Sequence, residues 1–291
     1  MSTVGFVGLG LMGEGFTRRL VEKGHRVVGF DIDPAKVKAA AGWGVEPASS
    51  AAAVAEAAGV IIVCVINTAA VEDAATGPRG FTAAGHLNGK TCIDVSTTEL
   101  EATHCIAATL AARGMDFVDA PVSGGPGAAK AGTLAIMAGG ADAAIAKVAG
   151  LMRELGSFTH MGGVGTGQAT KLVNQTIVLT NYCVLAEALR LAQAYGVNAA
   201  KIPEALKAGF AGSNMLGPIF PQMLADDFKP RGFARQVLKD LEMLQGAARD
   251  KHVAMPMASQ ALTLYRLLNA SGRAEWDAAS VVSLYPKEGH A

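Results

Sequence analysis

The first half of the chain alternates between short apolar runs and longer stretches in which apolar residues recur at helical spacing. Short apolar runs favour buried strands, and the 3.6-residue spacing favours helices. Strands are predicted at 3–7, 26–31, 60–66, 91–95, 116–119, 134–138 and 157–161. Helices are predicted at 12–23, 34–41, 49–58, 99–113 and 142–154. This alternation predicts an α/β fold with a doubly wound, mostly parallel sheet that binds ligands at the carboxyl ends of its strands.

The pattern changes after the glycine-rich segment 161–167. From Gln168 to Tyr195 the sequence predicts one long, almost wholly apolar helix, which we expect to be buried on most sides. Only helical signals follow, at 200–208, 233–251 and 256–270. The sequence therefore predicts two domains, an α/β domain at 1–163 and an all-α domain at 164–291, with a cleft between them.

A glycine-rich turn joins the first predicted strand to the first predicted helix. Gly8, Gly10 and Gly13 form the pattern G-x-G-x-x-G, with Leu11 and Met12 between the second and third glycines. In a dinucleotide-binding turn the first glycine permits the tight turn and the second lets a pyrophosphate approach the backbone, while the third lets helix and strand pack closely. The helix N-terminus then faces the phosphates. An ordinary tight turn is the alternative, but the strand and helix on either side favour a Rossmann-type cofactor site.

The second predicted strand ends in an acid that identifies the cofactor further. Asp31 lies 18 residues after Gly13, where a carboxylate accepts hydrogen bonds from the adenosine ribose. Asp33 follows, and the nearest arginine, Arg26, lies at the far end of the strand. Because two acids would repel a 2′-phosphate, the sequence predicts NAD as the cofactor and makes NADP the less favoured choice.

Composition excludes several function classes. Lys plus Arg and Asp plus Glu are balanced at 25 each, so no nucleic-acid partner is expected. The longest strongly apolar run, Val60–Ile66, is too short to span a bilayer, so no membrane partner is expected. The opening strand leaves no room for a signal peptide, and the cysteines show no metal-ligand spacing, so we expect a cytoplasmic protein without a metal site. The 51% hydrophobic content and the long apolar helix favour a homodimer or homotetramer.

Polar residues interrupt the long apolar helix near its start. Lys171, Asn174 and Gln175 share one helix face, at positions i, i+3 and i+4. The helix dipole and partial burial would lower the pKa of Lys171, so that it could exchange a proton with a substrate hydroxyl. The alternative is a surface lysine beside two solvated amides.

Two further segments carry candidate substrate groups. Ser123, Gly124 and Gly125 follow the predicted strand 116–119 and are expected on a loop, where backbone N–H groups and a hydroxyl could hold a carboxylate. A Pro/Gly turn without a ligand is the alternative. Lys239 and Asp240 lie at the edge of an apolar helix stripe, where the pattern alone favours a solvated charged pair.

Four segments, in this order, resemble the signatures of the β-hydroxyacid dehydrogenase family. They are the cofactor segment Gly5–Gly13, the substrate segment Asp119–Gly125 with Gly132–Leu134, the catalytic segment Gly167–Asn174, and the C-terminal segment Phe233–Leu241. The resemblance covers essentially the whole chain. It implies an NAD-dependent enzyme that oxidises a short β-hydroxy acid to the semialdehyde or keto acid.

The resemblance also implies roles for individual residues. Lys171 would be the general acid/base. The implied substrate contacts are Ser123, Gly124, Gly125, Asn174, Gln175 and Asp240. The implied cofactor contacts are Gly8, Gly10, Leu11, Met12, Gly13, Asp31, Val65 and Ile66 on the adenosine side, with Thr97 and Lys239 on the nicotinamide side.

Two departures from the family pattern matter. Asn174-Gln175 replaces the frequent Asn-Asn and is similar to the tartronate-semialdehyde reductase branch, while Val65-Ile66 replaces a frequent Leu-Pro. Three alternatives stay open: an NADPH-preferring semialdehyde reductase, an imine reductase, and an NAD-binding module without turnover. Imine reductases usually lack the lysine, and a module without turnover has no need for Lys171, Ser123 and Asn174 together.

Overall fold

The computed structural model describes residues 2–287, and the chain divides into two compact units after Lys171. The first unit contains one nine-stranded sheet. Its strands are β1 (Thr3–Val7), β2 (Arg26–Phe30), β3 (Val45–Pro47), β4 (Val60–Val63), β5 (Thr91–Asp94), β6 (Asp116–Asp119), β7 (Val122–Ser123), β8 (Leu134–Gly139) and β9 (Gly156–Gly162). Its helices are α1 (Leu11–Glu22), α2 (Pro34–Ala41), α3 (Ala51–Ala57), α4 (Thr68–Thr76), α5 (Leu100–Ala111), α6 (Gly125–Ala131) and α7 (Asp142–Arg153).

The sheet confirms the predicted fold class. Its strand order is β3-β2-β1-β4-β5-β6-β8-β7, with β9 paired to β8, and all pairs are parallel except those of β8 with β6 and β7. Helices cover both faces, so the central strands are buried on both sides and read as continuous apolar runs. Phe6 and Ile62 belong to the core on one face, and Ile61 and Phe117 to the core on the other. The carboxyl ends of β1, β2, β4, β5 and β6 therefore meet at one edge.

Several short elements escaped the sequence prediction. Strands β3 and β7 are only three and two residues long, too short to show a period. Strand β4 ends at Val63 instead of Ile66 because Asn67 caps α4 immediately afterwards, accepting the Ala70 N–H at 2.9 Å. Helix α6 was missed because it begins among glycines and a proline, residues that otherwise indicate a turn.

The second unit is helical in its described part, as predicted. Helix α8 (Thr166–Ala194) runs into it from the first unit, and it also contains α9 (Ile202–Leu206), α10 (Leu216–Leu224), α11 (Ala234–Asp250) and α12 (Pro256–Leu268). Its core includes Leu189, Phe220, Leu241 and Tyr265. Because α8 crosses the division without a break, the predicted domain boundary at 163/164 stays a prediction.

The expected burial of α8 on most sides is wrong within a single chain. Val173, Ile177, Val184 and Leu191 are each about half exposed or more, and the last three recur every seven residues along one face. By length and composition α8 could cross a membrane, with a mean hydropathy of 1.2 over its most apolar stretch, of which 33% is buried. The apolar pattern of α8 therefore marks both a core face and an exposed apolar face.

Candidate active site

The three glycines of the first turn have the spatial roles that their spacing predicts. Gly8 has φ +98°, and a Cβ there would lie 2.1 Å from the Cys64 carbonyl oxygen. A Cβ at Gly13 would lie 2.0 Å from the Gly8 carbonyl oxygen, so helix and turn touch there. At Gly10 a Cβ would meet nothing within 4 Å. Two glycines are thus required by close packing, and the middle one faces open space.

This turn fits the pyrophosphate of a dinucleotide. Gly10 is the N-cap of α1 and supplies no side-chain cap, and the first intrahelical bond, from the Glu14 N–H to the Gly10 carbonyl, is 2.8 Å long. The N–H groups at the start of α1, including those of Leu11 and Met12, precede the first intrahelical hydrogen bond, so they point out of the helix end. Such a terminus attracts phosphate through its N–H groups and its positive dipole end.

Asp31 is held firmly at the end of β2. Its Oδ2 accepts the Leu9 N–H at 2.7 Å and its Oδ1 accepts the Asp33 N–H at 2.9 Å, and the residue is only 9% exposed. The carboxylate therefore cannot swing away from the turn. The sequence prediction overlooked Lys36, whose Nζ lies 3.9 Å from Oδ1 on the first turn of α2.

Three further predicted cofactor residues, Val65, Ile66 and Thr97, follow strands that end at the same sheet edge. Val65 and Ile66 follow the end of β4, and the Val65 side chain would lie 2.9 Å from a Cβ at Gly8. The Val65 N–H donates to the Ser96 hydroxyl at 3.0 Å, which joins this segment to the loop after β5. Thr97 is half-buried in that loop. The structure thus places Val65 against the glycine turn and joins its segment to the loop that carries Thr97.

The segment Ser123–Gly125 is not the loop that the sequence predicted. Ser123 ends β7, which pairs with β8, Gly124 is the N-cap of α6, and Gly125 is its first residue. Both glycines have positive φ, +135° and +74°. The strand holds Ser123 in a fixed register, and the glycines permit the sharp turn from strand to helix. The prediction failed because a two-residue strand and a seven-residue helix are too short to read from sequence.

Lys171 lies beside this segment. It is 7% exposed, and its Nζ donates to the Val122 carbonyl oxygen at 2.7 Å. The carbonyl belongs to the residue before Ser123, so the ammonium and the predicted carboxylate-binding segment are neighbours. A buried lysine beside a strand-to-helix turn can exchange protons with a ligand held there.

Two buried acids lie close to the start of α8, and sequence reasoning gave neither a role. Burial raises the pKa of Asp94 to about 6, against hydrogen bonds from Thr98 and Ser96 that lower it. Burial likewise raises the pKa of Asp119 to about 6, against the backbone N–H groups of Gly165 and Gln168. The sequence signal was available, since each acid ends an apolar strand.

In the second unit, the predicted polar residues form a hydrogen-bonded chain. The Asn174 side-chain amide donates to Gln175 Oε1 at 2.8 Å, and Gln175 Nε2 donates to Asp240 Oδ2 at 2.6 Å. The Lys239 ammonium lies 3.1 Å from Asp240 Oδ1. Gln175 and Asp240 are buried, so the solvated pair that the local pattern favoured at 239–240 is not what forms.

No metal centre is evident among the described residues, where no group of three or more His, Cys, Asp or Glu side chains could hold an ion. Burial raises the pKa of the Cys64 and Cys183 thiols to about 12, which keeps them protonated near neutral pH. Within residues 2–287, the candidate chemistry therefore rests on Lys171 and its polar neighbours.

Two family profiles together match most of the chain. The profile of the NAD-binding domain of 6-phosphogluconate dehydrogenase matches residues 3–205. The profile described as the NAD-binding domain of NADP-dependent 3-hydroxyisobutyrate dehydrogenase matches residues 165–285.

Individual relatives match the chain over nearly its full length. The chain is 33% identical to 2-hydroxy-3-oxopropionate reductase of Escherichia coli, over 96% of this chain and 95% of that protein. It is 32% identical to 2-(hydroxymethyl)glutarate dehydrogenase of Eubacterium barkeri, over 97% and 94%. A solved structure of Mycobacterium tuberculosis 3-hydroxyisobutyrate dehydrogenase with L-serine superposes with a TM-score of 0.84 at 29% identity, covering 98% of this chain and 99% of that one.

Proposed function

Since this chain belongs to the β-hydroxyacid dehydrogenase family, an NAD(P)-dependent group of oxidoreductases acting on CH–OH, we propose that it oxidises a short β-hydroxy acid with NAD. The product is the corresponding semialdehyde or keto acid, and Lys171 is the general acid/base. The single observation that carries this proposal is the buried ammonium of Lys171 at 2.7 Å from the Val122 carbonyl, next to Ser123.

Substrate positioning follows from that adjacency. Ser123, Gly124 and Gly125 hold the carboxylate, through the serine hydroxyl and the backbone of the two glycines. In a β-hydroxy acid the hydroxyl is separated from the carboxylate by two carbons, a reach that suits a lysine beside the carboxylate site. Fixing both ends of so short a molecule orients the carbinol carbon, and orientation of this kind supplies a large part of an enzyme's rate enhancement.

Lys171 moves the proton. In the oxidation its neutral amine accepts the hydroxyl proton, and in the reduction its ammonium donates a proton to the carbonyl oxygen. The nicotinamide supplies the hydride acceptor in one direction and the hydride donor in the other. The turn at Gly8, Gly10 and Gly13 and the Asp31 carboxylate are the groups that would hold that cofactor.

Asn174 completes the proposed substrate contacts in the second unit. Gln175 accepts a hydrogen bond from Asn174 with its Oε1 and donates one to Asp240 with its Nε2. Because a carboxylate only accepts, Asp240 fixes the donor-to-acceptor direction of this series of hydrogen bonds. We assign Gln175 and Asp240 to the substrate side of the site, where they orient Asn174. Lys239, beside Asp240, is assigned to the cofactor side.

The names of the relatives suggest the substrate class. One acts on 2-hydroxy-3-oxopropionate, another on 2-(hydroxymethyl)glutarate, and the third was solved with L-serine. All three compounds carry an oxygen on the carbon β to a carboxylate. A short β-hydroxy acid is therefore the substrate class that we propose for this chain.

Asp31 supports NAD over NADP. Its oxygens are fixed by two backbone N–H groups, so a 2′-phosphate would meet a carboxylate that cannot move away. One matching profile is named for an NADP-dependent enzyme, and Lys36 offers a positive charge at 3.9 Å from Asp31. An NADPH-preferring semialdehyde reductase is accordingly the second candidate.

The exposed apolar face of α8 supports a homodimer or homotetramer. Ile177, Val184 and Leu191 would lose their exposure to water if a second copy covered this face. A rise in free monomer after charged substitutions on this face would support the assembly.

Initial rates with NAD and NADP over a panel of β-hydroxy acids, run beside α-hydroxy acids of the same length, test the proposed function. We expect turnover of β-hydroxy acids with NAD. In Asp31→Ser, the ratio of kcat/KM for NADP to that for NAD should rise by about tenfold or more, because removing one like charge is worth at least about 1.4 kcal/mol. Cofactor binding without oxidation of any acid, and without reduction of any semialdehyde, would instead indicate a binding module.

A further inference from the structure

A buried polar network ties the loop after β5 to the first turn of α8. Its centre is Gln168, which is 1% exposed and lies one turn before Lys171. The Gln168 Oε1 accepts the Thr98 N–H at 3.1 Å, and its Nε2 donates to the Ser96 carbonyl at 2.9 Å. One side-chain amide thus brackets the tripeptide 96–98 at both ends. Thr97, the residue proposed to lie near the nicotinamide ribose, is at the middle of that bracket.

Two buried carboxylates hold the elements on either side of the bracket. Asp94 accepts the Ser96 N–H at 2.9 Å and the Thr98 hydroxyl at 2.6 Å, which fixes the loop. Asp119 accepts the Gly165 N–H and the Gln168 N–H, both at 2.8 Å, which fixes the start of α8. Both acids are fully buried.

Asp119 and the Gln168 side chain hold different parts of the network. Asp119 already anchors the backbone of α8, so the helix start does not depend on the Gln168 side chain. Both hydrogen bonds of the side-chain amide go to the 96–98 loop. Exchanging its oxygen and nitrogen would set carbonyl against carbonyl and N–H against N–H, so the loop and helix have a single favourable register.

We propose that Gln168 is a positioning residue that sets the register between Lys171 and the loop proposed to face the nicotinamide. The proposal rests on the proposed function, in which Lys171 exchanges the substrate proton. Lys171 follows Gln168 by three residues on an unbroken helix, so the side chain that fixes the loop against Gln168 also fixes it relative to the lysine. Proton and hydride leave the same substrate, and both acceptors must be in reach together.

Gln168→Leu tests this role because leucine keeps the bulk and removes both hydrogen bonds. We expect kcat to fall about 10- to 100-fold, as for a small misplacement of reacting groups, with little change in the NAD dissociation constant. Gln222→Leu is the matched control. Gln222 is a buried glutamine of α10 that donates to Asp277 at 2.8 Å, and its loss should lower the melting temperature without lowering kcat.

Gln168→Glu gives a readout that a purely structural role would not move. A protonated glutamic acid reproduces the acceptor and the donor of the amide, whereas the carboxylate sets an oxygen against the Ser96 carbonyl. The charged groups of the network are Asp94 and Asp119, which favour the protonated form, with Lys171 one turn along the helix. The kcat of Gln168→Glu, divided by that of the native protein at each pH, should therefore rise as the pH falls from about 8 to about 6.

Lys171→Ala measured in the same series separates the two proposals. Substantial turnover by Lys171→Ala would refute the proposed function itself. Loss of turnover in Lys171→Ala, together with a native kcat in Gln168→Leu or a pH-independent ratio for Gln168→Glu, would overturn only the role of Gln168.

Discussion

The glycine turn and the start of α8 both place polar groups at the carboxyl edge of one sheet, but they are built differently. The turn is made by the backbone of a single β-α-β segment, in which a Cβ at Gly8 or Gly13 would lie 2.1 or 2.0 Å from a carbonyl oxygen. The start of α8 is made by side chains of Asp94, Asp119 and Gln168, whose hydrogen bonds join residues up to 72 positions apart. Backbone geometry thus forms the end of the site proposed for the cofactor, and a side-chain network forms the end that carries Lys171.

This difference predicts different consequences of substitution. At the cofactor end a larger side chain takes up space that the cofactor or the turn needs, so the substitution should change cofactor affinity. At the lysine end a change alters hydrogen bonding around buried carboxylates, so it should act on stability and on kcat.

The largest effect is expected at Gly8. In Gly8→Ala the new methyl would lie 2.1 Å from the Cys64 carbonyl oxygen at a φ of +98°, so the turn must shift. We expect the NAD dissociation constant, measured by calorimetry, to rise by more than about 100-fold, equivalent to about 2.7 kcal/mol. Gly10→Ala, whose methyl meets no protein atom within 4 Å, should keep the native melting temperature and still weaken the binding of NAD. Equal melting temperatures and equal NAD affinities for the two variants would contradict this contrast.

Asparagine substitutions at the two buried acids should have unequal effects on stability. The partners of Asp119 are backbone N–H groups, including those of Gly165 and Gln168, so Asp119→Asn sets an N–H against an N–H and should cost about 1–3 kcal/mol in the free energy of unfolding. One partner of Asp94 is the Thr98 hydroxyl, which can reverse and accept, so Asp94→Asn should cost less. Urea unfolding at neutral pH measures both. A larger loss at Asp94 would show that hydroxyl reversal does not occur.

A pH dependence of stability is also expected from Asp94. Burial raises the pKa of this acid in the folded protein to about 6, above its ordinary 3.8. The folded state therefore binds the proton more tightly, and the stabilisation is present below about pH 4 and is lost as the pH rises through 6. Relative to Asp94→Asn, the native free energy of unfolding should fall by at most about 3 kcal/mol over that rise. Asp119, whose pKa is also about 6, stays in both proteins. A constant difference between the two proteins would refute the raised pKa.

The comparison also explains which parts of the molecule could be predicted from the sequence. The glycine turn and Asp31 were predictable because their spacing lies within one β-α-β segment, and the alternating pattern predicted the doubly wound sheet. Lys171 stood out as a charge on an apolar helix, but its role came from the family resemblance. The bracket at Gln168 could not be predicted, since its partners lie 70 and 72 residues away in the sequence.

Two errors have a common physical origin. The expected burial of α8 failed because an apolar residue can face a core or an exposed face, and the sequence pattern is the same for both. The loop expected at Ser123–Gly125 is a strand end and a helix start because tertiary pairing with β8 overrides the local turn signal of the glycines. Long-range contacts decide both cases.

The central claim is that Lys171 transfers the substrate proton, and the most direct measurement is the turnover of Lys171→Ala with and without added primary amines. The account predicts that kcat falls by about 10²- to 10⁴-fold, the usual worth of a positioned acid/base, and that methylamine restores part of it. Lys130→Ala, which removes an exposed lysine of α6, should keep native turnover. Near-native turnover by Lys171→Ala in the absence of amine would contradict the claim.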